Sequence, residues 1–320
     1  MKMPKTLASA LAVIVSLSAT AAMAAWPEKP VRVIVTTVPG PLDAFARAVL
    51  GRIQEKLKQP FIVDNKAGAG GNIGADMVAK APADGYTLLF ALDTTFTVNP
   101  SLYSQMTFDP AKDFAIVGVP VTYGQMLAVN PRVPANSLPE FVKLAKSQKL
   151  SYASGGNGSP SHLTMAAFLA TAGLDMVHIP YKGTGASVVD VMGGQVESVF
   201  AVSSGIWPQA KAGKLKALAV SSEKRSVIAP DVPTVAEQGY PDFSATFAYV
   251  LAAPAGTPPE IQQVLARELA AAMQSKEVMD LDKIADYTPT HLSPQASAAW
   301  LADTRKRWAD IIVKAKIKAD

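Results

Sequence analysis

The sequence predicts an α/β chain of two lobes, each a mostly parallel sheet flanked by helices. Short β-branched apolar runs alternate with runs of helical period almost from end to end. The length suits two lobes of roughly 100–150 residues each. No low-complexity linker or short repeat interrupts the chain, so the lobes are expected to be joined by crossing strands rather than a tether.

The elements follow in order. Val31 to Val35 reads as a buried strand, bounded by Pro30 and Pro39-Gly40-Pro41, and Asp43 to Leu57 as a helix with Phe45, Ala46, Val49, Leu50, Ile53 and Leu57 at helical spacing. Phe61 to Val63 is a strand. A glycine-rich turn, Gly68 to Asn72, then opens a helix through Lys80, and Tyr86 to Leu92 is a strand ending at Asp93-Thr94-Thr95. The middle repeats the scheme with strands at 126–129, 150–153, 176–179, 196–201 and 215–220. Its helices are Ser137 to Lys146, with Ser137 and Glu140 as a capping box, and Ser161 to Ala172. A strand at Phe247 to Ala253 and helices at Glu260 to Gln274 and Pro294 to Val313 close the chain. Crossings near 119–123 and 247–252 put residues 26–120 and 251–320 in lobe 1 and 123–246 in lobe 2.

The N-terminus reads as a secretory signal, residues 1–24: Lys2 and Lys5, an apolar run from Leu7 to Ala22, and Ala22-Met23-Ala24 before the cleavage point. Removing the two lysines lowers the net charge from +4 to +2, too little and too dispersed for a nucleic-acid binder. With no cysteine, disulfides, thiolate metal sites, cysteine nucleophiles and a lipid-modified N-terminus are excluded. A soluble periplasmic protein without a lipid anchor is expected.

Catalytic constellations are missing. The glycines at 68, 70, 71 and 74 do not fit G-x-G-x-x-G, and no G-x-x-x-x-G-K-[ST] or G-x-S-x-G occurs. Of the three histidines, His178 reads as packed in its strand, His291 as solvated, and His162 as better placed, one turn into a helix after a glycine-rich loop. None sits in metal-ligand spacing. No cofactor, metal or enzymatic activity is expected. What recurs is a polar loop at the C-terminal end of a strand, leading into a helix: after Val35, after Phe90 and after Ala153, with glycine in the first and third. Such loops are where open α/β sheets bind ligands, and unpaired N–H groups at a helix start suit a carboxylate.

Five segments carry a family resemblance: NKAGAGGNIGA at Asn65–Ala75, DGYTLL at Asp84–Leu89, YASGGNGS at Tyr152–Ser159, VHIPYKG at Val177–Gly183 and PDVPTVAE at Pro230–Glu237. In these the chain resembles the periplasmic receptors of tripartite tricarboxylate transporters, often called Bug receptors, from Trp26 to the C-terminus. The resemblance implies a Venus-flytrap fold and capture of a small carboxylate between the loop after the first strand and the Ser154 to His162 loop. It implies ligand contacts from Gly40, Leu42, Asp43, Thr94, Thr95, Phe96 and Tyr123 on one side. From the other side come Ser154, Gly155, Asn157, Ser159, His162, Tyr181, Ala201 and Ser203. Partners would be one large and one small membrane subunit, the receptor itself acting as a monomer. A ligand sensor for a signalling partner and a secreted enzyme on the same fold are the alternatives.

Three departures from the family pattern bear on the ligand. The first loop, Pro39-Gly40-Pro41-Leu42-Asp43, is one residue short, and Pro41 has no N–H to offer an anion. Phe96 stands where histidine is frequent, and Ala201 where aspartate is common, removing a partner for an ammonium group. If Phe96 and Tyr123 wall the pocket, an aromatic or medium-chain carboxylate is expected rather than citrate or aspartate. Otherwise both are core residues.

Overall fold

The computed structural model describes residues 26–315 and 317; the expected signal segment lies outside them. The first half-lobe runs β1 (Val31–Val35), α1 (Pro41–Leu57), β2 (Phe61–Asn65), α2 (Asn72–Ala79) and β3 (Thr87–Leu92). Short helices α3 (Thr94–Thr97) and α4 (Asn99–Leu102) follow, then β4 (Phe114–Gly118) and β5 (Val121–Tyr123). The chain then enters β6 (Gln125–Val129), α5 (Leu138–Ser147), β7 (Ser151–Ser154), α6 (Pro160–Ala172) and β8 (Val177–Pro180). After these come α7 (Thr184–Gly193), β9 (Ser198–Val202), α8 (Ser203–Lys211) and β10 (Lys216–Val220). It returns through β11 (Phe247–Pro254), α9 (Pro259–Met273), α10 (Lys276–Ala285), β12 (Thr288–Pro289) and α11 (Pro294–Lys314).

Two sheets result. One has the order β12-β5-β11-β3-β1-β2 with β4 also on β11; the other is β10-β6-β9-β7-β8. Each contains the expected parallel centre, β2-β1-β3 and β8-β7-β9, built by the same β-α-β-α-β run. Each then adds an antiparallel strand against the third member, β11 on β3 and β6 on β9. The pairing is therefore mixed, because strands that carry the chain between sheets arrive running the other way. Sequence reading placed most elements within a residue or two but did not identify β4, β12, α7, α8 or α10. These are short, and α7 and α8 carry little periodic apolar pattern. Among the described residues no helix is long and apolar enough to cross a membrane.

β5 and β11 pair antiparallel, Tyr123 opposite Phe247 and Thr122 opposite Ala248. Only Gly124 separates β5 from β6. A Cβ there would lie 2.8 Å from Ser222 Oγ, so the passage is close-packed. Fully buried Ser221 holds both passages together. Its hydroxyl accepts the Gln125 N–H at 2.8 Å and donates to the Ala245 carbonyl at 2.6 Å. Its backbone N–H reaches the Gln125 carbonyl and its carbonyl accepts the Ala245 N–H. Ser221→Ala leaves two buried backbone groups without their partner, so denaturant unfolding should show a loss of about 1–3 kcal/mol. A loss below about 0.5 kcal/mol would mean that this hydroxyl does not secure the crossing.

Candidate ligand-binding site

In lobe 1 the loop between β1 and α1 lies at the C-terminal end of a central strand, and Val38 on it is 67% exposed. Gly40 is the N-cap of α1 in extended conformation (φ 174°), with no side-chain cap and Pro41 at the helix start. Among the described residues the N–H groups of Leu42 and Asp43 have no intramolecular acceptor; the first helical bond is Ala44 N–H to the Gly40 carbonyl. The positive end of a 17-residue helix is thus left uncapped beside the loop.

The side chains here brace rather than reach out. Leu42 packs into the core. Buried Asp43 accepts from Asn65 Nδ2 at 3.0 Å and from Arg47 Nε at 2.9 Å, and Asn65 Nδ2 also donates to the Thr37 carbonyl at 2.9 Å. Asn65, at the end of β2, ties both ends of the loop. The Asp43 carboxylate, expected as part of the grip, is taken up by these two partners. The Arg47 hydrogen bond, helped by Asn65 and opposed by burial, holds its pKa below the ordinary carboxylate value.

The turn before α2 closes on the same edge. Gly71 has φ +96°, and a Cβ there would lie 2.9 Å from Thr95 Oγ1 and 3.3 Å from Thr36 Oγ1. Both hydroxyls are buried without a hydrogen-bond partner among the described residues. Asn99 Nδ2 pins the turn through the Gly70 carbonyl (3.0 Å) and Asn72 Oδ1 (2.6 Å). Thr36 and Asn99 carry no signal in the sequence, and Asn65 and Gly71 are legible only as members of a motif, not as site residues. Asn65 and Gly71 lie in or beside the glycine-rich motif, which was the available signal.

Lobe 2 places its loop at the matching position, after β7. Gly155 N–H donates to Ser161 Oγ (2.8 Å), Gly156 N–H to Ser154 Oγ (3.1 Å) and Gly158 N–H to His162 Nδ1 (3.1 Å). Ser159 Oγ donates to the Gly156 carbonyl (2.6 Å) and accepts the His162 N–H as cap of α6. Ser154 Oγ also meets His178 Nε2 at 2.6 Å. The His162 and His178 rings stack at 4.0 Å, with Tyr152 on His178 at 4.8 Å. His178 is packed, as expected, and also anchors the loop. Because Nδ1 of His162 accepts the Gly158 amide, the neutral ring carries its proton on Nε2. Gly158 (φ +70°) comes against lobe 1, where a Cβ would overlap Leu102 of α4.

The remaining expected residues divide. Thr94 is buried at the start of α3 beside Thr95. Asn157 lies in the lobe 2 loop, half-buried. Buried Ser203 opens α8, while Tyr181, just past β8, donates to Asp190 at 2.6 Å. Phe96 is in the core, its ring 5.4 Å from Phe114. Tyr123 packs 5.3 Å from Tyr249 beside Phe247, and burial raises its pKa well above the ordinary value. Ala201 faces the core of lobe 2, opposite Met126. Phe96 and Tyr123 are therefore core residues rather than exposed pocket walls, and Ala201 occupies a position with no room for a solvated carboxylate.

The model of the family described as tripartite tricarboxylate transporter family receptor matches residues 45–317. The chain belongs to that family. BugT of Bordetella pertussis is 36% identical over 312 residues, spanning 94% of this chain and 96% of its own. Among solved receptors, Rpa4515 of R. palustris with adipate is 31% identical with a TM-score of 0.84, covering 92% of this chain and 99% of that one. MatC from Rhodopseudomonas palustris with bound malate is 28% identical with a TM-score of 0.81, covering 90% and 100%. The two-lobed α/β architecture is shared with these family receptors.

The Asp43 brace makes a pH prediction. A folded-state pKa below the unfolded value gives stability that is present above about pH 4 and lost as pH falls through the folded value. Asp43→Asn should therefore flatten the loss of melting temperature between pH 4 and 2. Equal slopes in both proteins would exclude the Asp43–Arg47 pair as a contributor.

Proposed function

We propose that this chain is a periplasmic receptor whose two lobes close on a small dicarboxylate and deliver it to the large and small membrane subunits of a tripartite transporter. The observation that carries this reading is the uncapped start of α1 facing out of the C-terminal edge of the lobe 1 sheet. Two unpaired N–H groups and the helix dipole are the chemistry a carboxylate needs. The lobe 2 loop differs in kind: its serines and His162 already hold its amides, so it offers a rigid counter-surface. Lobes of residues 26–120 with 251–320 and of 123–246 would hinge at β5 and β11. Family membership supports binding without chemistry on the ligand.

With Phe96 and Tyr123 in the core, a ring-shaped ligand loses its supporting argument. Exposed Val38, Pro39 and Pro41 instead give the loop an apolar lip suited to methylene groups. A medium-chain dicarboxylate fits this best, and adipate in the related receptor is of that class. Thermal-shift and calorimetric titration should include adipate, malate, citrate, aspartate and benzoate. Adipate at a hundredfold over its Kd is expected to add about 2.7 kcal/mol of stability. A panel in which citrate or aspartate binds and adipate does not would overturn the ligand class, and no response to any carboxylate would overturn the receptor reading.

A further inference from the structure

Asp93 joins the end of β3 to the start of α3 and is completely buried. Its Oδ1 accepts the N–H of Ala248 on the crossing strand β11 at 3.0 Å, and its own N–H donates to the Ala248 carbonyl at 2.9 Å. Oδ2 takes the Thr97 hydroxyl at 3.3 Å. Among the described residues no cation pairs with it. The next two residues, Thr94 and Thr95, form the β3 side of the proposed site. β1, which leads into the uncapped helix start, is β3's direct neighbour, with Val35 opposite Phe90.

We propose that Asp93 is a proton-binding site linked to ligand capture: the lobes close on the anion with this carboxyl protonated, so that binding a dicarboxylate takes up a proton. The proposal rests on the receptor reading above. A ligand carboxylate at the α1 start places a second negative charge on the same sheet edge as a buried, cation-free carboxylate. Like charges in a poorly solvated region favour protonation of one of them. Burial, only partly offset by the Ala248 and Thr97 hydrogen bonds, already pushes the Asp93 pKa up to about 7 in the empty protein. Linkage makes the effect reciprocal: whatever raises proton affinity when ligand binds must weaken ligand binding when the proton leaves.

Among the described residues, no charged group on the surrounding elements pairs with Asp93. Tyr123 of β5, with Tyr249 and Tyr287 behind it, stays neutral, because burial raises all three pKa values. From α11, Arg305 bonds the Phe96 carbonyl of α3 at 2.7 Å. On α1, Asp43 is paired with Arg47. Lobe 2 contributes His162 and His178, which as histidines are the groups able to imitate the effect. Asp282 on α10 is a useful control: it is likewise buried, neither oxygen has a hydrogen-bond partner among the described residues, and burial raises its pKa to about 7.

The test is calorimetric titration of the mature protein with adipate from pH 6.5 to 8.5, in phosphate and in Tris, whose different ionisation enthalpies reveal proton transfer. Wild type should take up a proton and lose about tenfold in affinity across the range. Asp93→Asn, which keeps an acceptor for Ala248, should bind with one affinity throughout and take up none; Asp282→Asn should behave as wild type. Zero proton uptake by wild type overturns the proposal without any variant. A pH dependence that survives in Asp93→Asn overturns it in favour of the histidines. Failure of adipate and every other carboxylate to bind at any pH removes the receptor reading, and this proposal with it.

Discussion

The chain passes between its two sheets at one antiparallel pairing, β5 against β11, leaving the first sheet after β5 and re-entering it at β11. The ribbon belongs to the lobe 1 sheet, so the register of β11 on β3 fixes where the chain leaves for lobe 2. Gly124 alone connects β5 to β6, so the two sheets are joined here without a linker. Ser221, deep in lobe 2, bonds the residues on both sides of the passage. Asp93 and Ser221 bond the backbone in and beside this ribbon, and the Tyr123 ring packs on Phe247 within it.

The two lobes are built alike yet prepared for different tasks. Each has the strand order second-first-third followed by an antiparallel strand, and each presents its first β-to-α loop at the same edge. In lobe 1, proline and glycine leave the helix start open, while Asp43, Asn65 and Arg47 fix the loop from beneath. In lobe 2, Ser159 caps its own helix and Ser154, Ser161 and His162 occupy the loop amides. A donor surface meeting an already satisfied surface is a sensible division. The first leaves amides free to attract a negative charge, while in the second the Gly155, Gly156 and Gly158 amides are already bonded internally.

The fold class was readable because its determinants are local. The Val31–Val35 run, the 3.6-residue spacing from Phe45 to Leu57, and Ser137 with Glu140 each report on a few neighbours. In the structure Ser137 accepts the Glu140 N–H, while the Glu140 carboxylate reaches Asn136 rather than Ser137, a one-residue variation on the box. The site was legible only as loops. Which residues in them face a ligand depends on partners far along the chain: Asp43 looks like a free acid until Asn65, 22 residues on, is seen to donate to it. Phe96 beside Thr94 and Thr95 suggests a wall until α3 turns its ring onto Phe114. A strand ending shows where a loop starts, but only packing decides which of its side chains turn inward.

The same reasoning explains why the polar groups of this site are so sparing of charge. Beside the lobe 1 loop Arg47 is engaged by Asp43 and Lys66 by Asp64, while amides and a helix end are left without a partner among the described residues. Dipoles fixed by backbone geometry act over a few ångströms and in a set direction. They discriminate by where a carboxylate sits rather than by how much charge a ligand carries. A guanidinium free in the cleft would attract citrate more strongly than a shorter or less charged acid. At the start of α1, Pro41 takes the place of one donor, and the surface exposed beside it is that of Val38 and Pro39.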